Sequence, residues 1–157
     1  MLKLDESVTF KDFLNSSVEP VINLSPSNTL DSSKDTHKRF ATLISYIFTA
    51  RDKTHLLHLS TDSYSNHMAL KELYELLLDS ADKLTESYQG KNGILEIETL
   101  SSDFFTTECP IEFASILTSW LENDGRSLIG SDSFIINMYE ELIANVFQIK
   151  YKLENLS

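Results

Sequence analysis

The sequence predicts an all-α protein, organised as a four-helix bundle with one long crossover. Three observations predict this. The 55 residues from 35 to 89 contain neither glycine nor proline, the two strongest helix breakers. Four segments repeat apolar residues every three or four positions, as helices with one buried face do. Residues 91–108 lack this period, and we interpret them as an extended crossover between the second and third helices.

Helices A and B are predicted to be separated by a short turn. Helix A should begin near Asp35 or Thr36, and the turn is segment 60–63, Ser-Thr-Asp-Ser, which is rich in capping residues. Helix B should stop at Gly90, because glycine is common just beyond a helix end. The expected buried residues are Phe40, Leu43, Ile44, Ile47 and Phe48 on helix A, and Leu70, Leu73, Tyr74, Leu77, Ala81, Leu84 and Tyr88 on helix B.

Helices C and D complete the predicted bundle. Helix C should start at Pro110, since proline suits the first helical position, and helix D should run from about Ser133 to Leu153. The expected buried residues are Ile111, Ala114, Ile116, Leu117, Trp120 and Leu121 on helix C, and Ile135, Met138, Tyr139, Leu142, Val146, Ile149 and Leu153 on helix D. A single long connection, between B and C, is the ferritin-like arrangement of a four-helix bundle.

The sequence divides into an N-terminal arm, residues 1–34, and the bundle, residues 35–157. Two prolines and many serines predict that the arm is irregular after a short amphipathic helix at 8–14. The arm carries three lysines against five acids, so it does not resemble a basic DNA-binding tail.

Composition limits the classes of function. The chain has 24 acidic and 13 basic residues, a net charge of −11, which argues against nucleic-acid binding through the bulk surface because Lys and Arg make most phosphate contacts. No apolar run is long enough for a membrane span, and a single cysteine excludes a disulfide framework. We therefore expect a soluble cytoplasmic protein that does not bind membranes.

Three histidines and two carboxylates are the candidate functional residues. His55, His58 and His67 surround the predicted A–B turn, the first two on the buried side of helix A and the third at the edge of the apolar stripe of helix B. Asp82 and Glu86 form an i, i+4 pair off that stripe. Imidazole and carboxylate are common ligands of iron and zinc. The residues leave open a plainer alternative, in which the histidines hydrogen-bond at a helix end and the carboxylates are surface charge.

The segment 54–90 resembles the metal site of the Dps family, the mini-ferritins. In that family a second His follows the first by twelve residues, a Tyr comes seven later, and Asp and Glu lie 15 and 19 residues after the second His. His55, His67, Tyr74, Asp82 and Glu86 match this spacing without a gap. The chain is also similar to small ferritin-like proteins of tailed phages, which share the H-x-x-H-L run, the YQG after helix B and a C-terminal Tyr-Lys-Leu.

The resemblance implies a homo-oligomer, a dimer or larger, that binds iron or zinc and oxidises Fe(II) or stores iron. It implies metal ligands at His55, His67, Asp82 and Glu86, with the two carboxylates donated by a neighbouring subunit. His58 is not part of the Dps pattern, and we add it to the ligand set as a replacement for the missing acidic ligand. The phage relatives imply a phage-encoded protein in the host cytoplasm. The family has an acidic ligand where this chain has Lys71, whose ammonium repels a second cation. We therefore expect either a mononuclear site or a vestigial one, and leave ferroxidase-like activity open.

The alternative hypothesis is a non-catalytic helical bundle that acts as an interaction or inhibitor protein. It would use an acidic surface formed by residues 91–124, which carry seven acids and one base. Lys71 and the absence of Glu-x-x-His pairs favour this hypothesis. Nucleotide-binding loops and hydrolase motifs are also absent from the sequence.

Overall fold

A computed structural model describes residues 29–100 and 105–156. Their regular structure consists of four α-helices and one 3-10 turn: α1 (Thr29–Ser60), α2 (Tyr64–Asn92), α3 (Pro110–Glu122), the 3-10 turn Gly125–Leu128, and α4 (Ser133–Asn155). No β-strand occurs in these two ranges, so the predicted all-α class is confirmed. The short helix predicted at 8–14 lies outside the described residues.

Helices α1 and α2 are antiparallel neighbours. At one end of the pair, Nε2 of His37 donates to the carbonyl oxygen of Asn92 at 2.8 Å. At the same end, the rings of Phe40 and Tyr88 stack with their centroids 4.0 Å apart. A three-residue turn joins the helices at the other end. The short A–B turn predicted from the sequence is therefore present.

The pairing of α2 with α4 is also antiparallel. Glu72, near the start of α2, forms an ion pair with Lys152, near the end of α4. Lys91, at the end of α2, forms an ion pair with Asp132, just before α4 begins. Helices α1 and α4 therefore run in the same direction.

Helix α3 lies beside α1 and runs against it. Lys53 contacts Glu108, two residues before α3, whereas Arg39 donates to the carbonyl oxygen of Ser127, beyond the end of α3. Since α2 also runs against α1, α2 and α3 point the same way. The chain between them therefore has to travel back along the bundle, as the predicted crossover requires.

Two predicted helix ends are wrong. Helix α1 begins at Thr29, six residues before Asp35, because segment 29–34 contains neither proline nor glycine to stop it. Helix α2 continues past Gly90 to Asn92. The residue that ends it is Gly93, whose φ of 91° is unfavourable for residues with a Cβ.

The core contains most of the predicted residues, but the inward face of α3 differs. Ile111 and Ile116, predicted to be buried, are 38% and 40% exposed. They flank the buried stripe on opposite sides, because that stripe is centred on Phe113 and Leu117. Three further residues predicted to be buried are only half-buried: Phe48, Tyr74 and Met138.

The end of the α1–α2 pair extends beyond α3. Because Glu108 lies against Lys53, α3 begins more than one turn below the end of α1. We call residues 54–70, which include the turn, the hairpin tip. Two of its leucines, Leu56 and Leu59, are 63% and 67% exposed.

None of the four helices described has the uninterrupted apolar length that crossing a bilayer demands.

Candidate metal centre

The turn of the hairpin tip is built by its capping side chains. Ser63 precedes α2 in an extended conformation, and its hydroxyl accepts a hydrogen bond from the backbone N–H of Asn66 at 3.3 Å. The hydroxyl of Thr61 accepts from the N–H of Ser63, also at 3.3 Å. These contacts fix where α1 ends and α2 starts, and therefore how their histidines face each other.

His58 and His67 are held by two reciprocal hydrogen bonds. Nδ1 of His58 lies 2.8 Å from the carbonyl oxygen of His67, and Nδ1 of His67 lies 3.0 Å from the carbonyl oxygen of His58. The two rings stack with centroids 3.7 Å apart, and His58 is only 7% exposed. A carbonyl oxygen can only accept, so each Nδ1 must carry the proton. In the neutral rings both Nε2 atoms then keep a lone pair, which is the donor a metal requires.

His55 and Tyr74 lie beside this pair. The ring of His55 is 4.5 Å from the ring of Tyr74 and 6.0 Å from that of His58, measured between centroids. Tyr74 meets His58 edge-on at 5.3 Å. The structure therefore brings together three of the five predicted ligands and the matching tyrosine.

Arg51 belongs to the same group and was not singled out from the sequence. Its guanidinium carbon lies 5.8 Å from the centre of the Tyr74 ring, a cation–π distance. Its buried Nε has no hydrogen-bond partner among the residues that the structure describes. The signal that could have found it is its position one helical turn before His55, on the same side of α1.

The two predicted carboxylates lie elsewhere on α2. Asp82 and Glu86 are exposed and follow His67 by 15 and 19 residues. At 1.5 Å per residue they lie about 22 and 28 Å further along the helix. Over residues 29–100 and 105–156, no group of three or more His, Cys, Asp or Glu side chains is arranged to hold a metal. A site that uses all five residues therefore cannot form within one copy of the chain.

Lys71 occupies the position where the Dps pattern has a further acidic ligand. It lies one helical turn after His67, is exposed, and its ammonium is 3.8 Å from a carboxylate oxygen of Glu75. This separation is a loose surface ion pair. Lys71 therefore adds a positive charge beside the histidines.

A strongly perturbed titratable group lies away from the hairpin tip. Burial raises the pKa of Tyr139 far above its ordinary value, while its hydroxyl donates to the carbonyl oxygen of Leu121 at 2.8 Å. Nearby, the hydrogen bond from Arg126 lowers the pKa of the Glu140 carboxyl. Both arrangements hold α4 to the end of α3, and we interpret them as structural.

The acidic residues of segment 91–124 are spread over the crossover and α3. Glu96 and Glu98 are exposed and line a groove of about 580 Å³, whose opposite side includes Lys34 and Lys38 on α1. Ile94, which also lines this groove, is 82% exposed. The groove therefore combines charges of both signs with one exposed apolar side chain.

Comparison with known proteins gives one match. A family model matches residues 58–153, and its description is a family of unknown function (DUF5856). The matched segment includes His58, His67, Asp82 and Glu86, and His55 precedes it. No curated protein and no solved structure matches the chain.

Proposed function

Because the chain belongs to DUF5856, a family whose description assigns no activity, we propose a function from the chain's own site. The protein binds a transition metal ion, iron or zinc, between α1 and α2. His55, His58 and His67 of one copy supply the nitrogen ligands. Asp82 and Glu86 of a second copy supply the oxygen ligands.

The observation that carries this proposal is the reciprocal bonding of His58 and His67. Two backbone carbonyls fix the protonated nitrogen of both rings, and such contacts to the outer nitrogen of a ligand histidine are usual at metal sites. The Nε2 atoms that remain are suitable donors for iron and zinc. This donor chemistry fits a metal, although the three imidazoles of one chain are not arranged to hold an ion by themselves.

The helix directions support a ferritin-like topology for this protein. Helices α1 and α4 run one way and α2 and α3 the other, so one long connection spans the bundle. This is the connectivity that ferritin-like bundles use, and they build metal sites from side chains on facing helices. The histidines lie on such a pair of facing helices.

Lys71 favours one metal ion per site. Its ammonium cannot ligate while it is protonated, and it repels a second cation. Iron bound at the site would supply one-electron chemistry, and residual Fe(II) oxidation or storage is the activity to test once binding is established. We therefore propose metal binding as the primary function and Fe(II) oxidation as a secondary one.

Metal titration of the metal-free protein tests the proposal. Co²⁺, which reports a zinc-type site by its absorption, and anaerobic Fe(II) are the probes. The decisive variant is His67→Asn, whose amide N–H can replace the Nδ1–H bond to the backbone but which lacks Nε2. We expect binding to weaken by at least about tenfold, equivalent to 1.4 kcal/mol, with an unchanged helical circular-dichroism spectrum.

His37→Gln is the matched control. This histidine lies at the opposite end of the α1–α2 pair, where its Nε2 already donates to a carbonyl, and the glutamine amide can take over that bond. We expect wild-type affinity from this variant. Failure of the wild-type protein to bind either metal, or equal affinity in His67→Asn, would contradict the proposal.

The second candidate function is the interaction module. The exposed Ile94, together with Glu96 and Glu98 on the crossover, favours a protein partner at that surface. Double charge reversal, Glu96→Lys with Glu98→Lys, should then abolish capture of the partner, while His67→Asn should leave capture unchanged. Loss of capture in His67→Asn, with capture retained in the double charge reversal, would favour the metal site.

A further inference from the structure

A groove lies between the first half of α1 and the start of the crossover. Its α1 side is one helical face that begins at Lys34 and ends at Ser45, and its crossover side begins at Ile94 and ends at Leu100. At 1.5 Å per residue, the α1 side is about 16 Å long. We call this feature, with its volume of about 580 Å³, the α1 groove. Its length and volume suit a short, extended peptide segment.

The apolar part of the α1 groove is incompletely covered. Ala41 and Leu95 are buried, each with 8% of its surface exposed, whereas Ile94 is 82% exposed. Covering an exposed apolar side chain is favourable in proportion to the area that is removed from water. The α1 groove therefore favours an occupant that has apolar side chains of its own.

The crossover side of the α1 groove carries backbone groups that are available to a second chain segment. In the ranges 29–100 and 105–156, no hydrogen bond involves the backbone N–H or C=O groups of residues 96–100. An extended segment can pair with such groups as a neighbouring strand does. A pair of this kind has to pack against another element to be stable, and α1 supplies that element.

The charged side chains that line the α1 groove balance each other. Lys34 and Lys38 lie on the α1 side, and Glu96 and Glu98 lie on the crossover side. None of the four forms an ion pair within the part of the chain that the structure describes. Two neighbouring charged residues of α1 lie outside the groove lining: Asp35 and Arg39. Because a charged segment would meet a like charge on one side or the other, this lining favours a segment without charges.

The chain that enters α1 has the sequence of such an occupant. Residues 20–28 of the N-terminal arm, Pro-Val-Ile-Asn-Leu-Ser-Pro-Ser-Asn, contain no charged residue. Segment 25–28 is typical of a type I turn, which prefers Ser at its first position and Pro at its second. A turn directly before Thr29 would bring residues 20–24 back along α1, where Lys34 lies five positions further on. Five extended residues at about 3.3 Å each span about 16 Å, the length of the α1 groove.

The direction of the crossover agrees with this placement. The crossover leaves α2 beside the start of α1, where Nε2 of His37 donates to the carbonyl oxygen of Asn92. It arrives at Glu108, which contacts Lys53 in the second half of α1. The crossover therefore runs in the same direction as α1, and a segment that turns back before Thr29 lies antiparallel to it. Antiparallel pairing is slightly more stable per residue than parallel pairing.

We propose that the α1 groove is a peptide-binding site, and that residues 20–24 of this chain's own arm occupy it. The segment Pro-Val-Ile-Asn-Leu lies antiparallel to the crossover and pairs with the backbone of residues 96–100. Ile22 and Leu24, which share one side of an extended segment, cover the apolar lining. This site is separate from the hairpin tip, so it does not depend on metal binding. A protein partner that docks on Ile94 has to displace the arm first.

Disulfide trapping in the full chain is the first test. Cys109, the only native cysteine, is replaced by serine, and Ile22→Cys is combined with Glu96→Cys or with Glu98→Cys. We expect at least one of these pairs to form a disulfide within one chain under mild oxidation, because a disulfide requires Cα atoms within about 7 Å. Ile22→Cys with Glu141→Cys, at an exposed glutamate on α4, is the matched control and should stay reduced.

Hydrogen exchange in the full chain is the second test. Docking should slow exchange at the amides of residues 96–100, because the arm then accepts their hydrogen bonds. Ile22→Ser with Leu24→Ser removes the apolar side chains and should speed this exchange by at least about tenfold. Leu2→Ser with Leu4→Ser makes an equivalent change in the arm outside the segment and should leave the exchange rate at its wild-type value.

Three results would overturn the proposal. The first is equal disulfide formation in the groove pairs and in the α4 control. The second is a disulfide that joins two chains, recognised by twice the mass of 17.9 kDa, because the arm would then occupy the groove of a neighbour. The third is an exchange rate at residues 96–100 that is the same in the wild type and in Ile22→Ser with Leu24→Ser. None of these measurements involves a metal, so a failure here leaves the proposed function standing.

Discussion

Replacing Gly125 with alanine should destabilise the protein by a mechanism that the structure specifies. Gly125 is buried at the start of the 3-10 turn that follows α3. A Cβ built there would overlap the hydroxyl oxygen of Tyr139 and lie 3.1 Å from the Trp120 ring. That hydroxyl donates to the carbonyl oxygen of Leu121 in a fully buried setting. The tyrosine therefore cannot move aside without losing its hydrogen bond.

The expected loss can be estimated from these contacts. Overpacking a buried site costs about 1–3 kcal/mol. A buried hydroxyl left without its partner adds about 1–3 kcal/mol. The two costs overlap, because a movement of the Tyr139 ring would relieve the overpacking but break its hydrogen bond. The alanine also restricts the unfolded chain, which restores about 0.4–1 kcal/mol of stability. We expect a net loss of about 2–4 kcal/mol, or roughly 5–15 °C in Tm for a chain of this length.

Urea unfolding followed by circular dichroism measures this loss, with two informative controls. Gly90→Ala, inside α2, meets no atom within 4 Å and should raise stability by about 0.5–1 kcal/mol. Gly125→Ala combined with Tyr139→Phe removes the overlapping oxygen and should unfold later than Gly125→Ala alone. A Gly125→Ala protein within about 0.5 kcal/mol of wild type, the range of ordinary surface changes, would refute the reasoning.

Three further predictions concern pH, packing and the hairpin tip. Burial raises the pKa of Tyr139, so above about pH 10, the ordinary tyrosine pKa, the unfolded chain loses this proton before the folded chain does, and the free energy of unfolding falls. Tyr139→Phe should make this alkaline loss of stability smaller in urea titrations. Tyr64→Phe, at an exposed tyrosine, should leave it unchanged. Leu117→Ala should lower the free energy of unfolding by about 2–5 kcal/mol in thermal unfolding. The neighbouring Ile116 is 40% exposed, so Ile116→Ala should lower it by less than about 1 kcal/mol. Equal losses from the two variants would contradict the assigned inward face of α3. In metal-free protein, His58→Ala should lower Tm while His58→Asn, which keeps a donor for the facing carbonyl, should lower it less.

The sequence was sufficient to predict how α1 and α2 meet, because local chemistry determines it. The capping residues of 60–63 require a short turn, and a short turn makes adjacent helices antiparallel neighbours. His58 on the inward face of α1 and His67 at the edge of the inward face of α2, both close to that turn, then have to lie near each other. Their reciprocal hydrogen bonds could not be predicted, because they depend on the rotamers of two rings packed against one another.

Other features depend on tertiary packing and were missed. Ile111 and Ile116 are as apolar as the residues that are buried, and only the positions of α1 and α4 decide which side of α3 faces inward. Gly90 and Gly93 both fit a helix end, and the backbone dihedrals, not the composition, select Gly93. The separation of Asp82 from the histidines does follow from helical rise, so the sequence already required a second copy for a five-ligand site.

The length by which the hairpin tip extends past α3 has a consequence for local unfolding. The stacked rings of Phe40 and Tyr88 are buried at the other end of the α1–α2 pair, and amides near them should exchange with solvent hydrogen only when the whole chain unfolds. Amides of residues 54–60 and 64–70 lack the cover of α3 and should exchange through a smaller opening that separates the two helix ends. A metal ion bound between the two helix ends would then slow exchange in the hairpin tip selectively. Hydrogen exchange measured residue by residue would therefore locate the bound ion from the amides it protects.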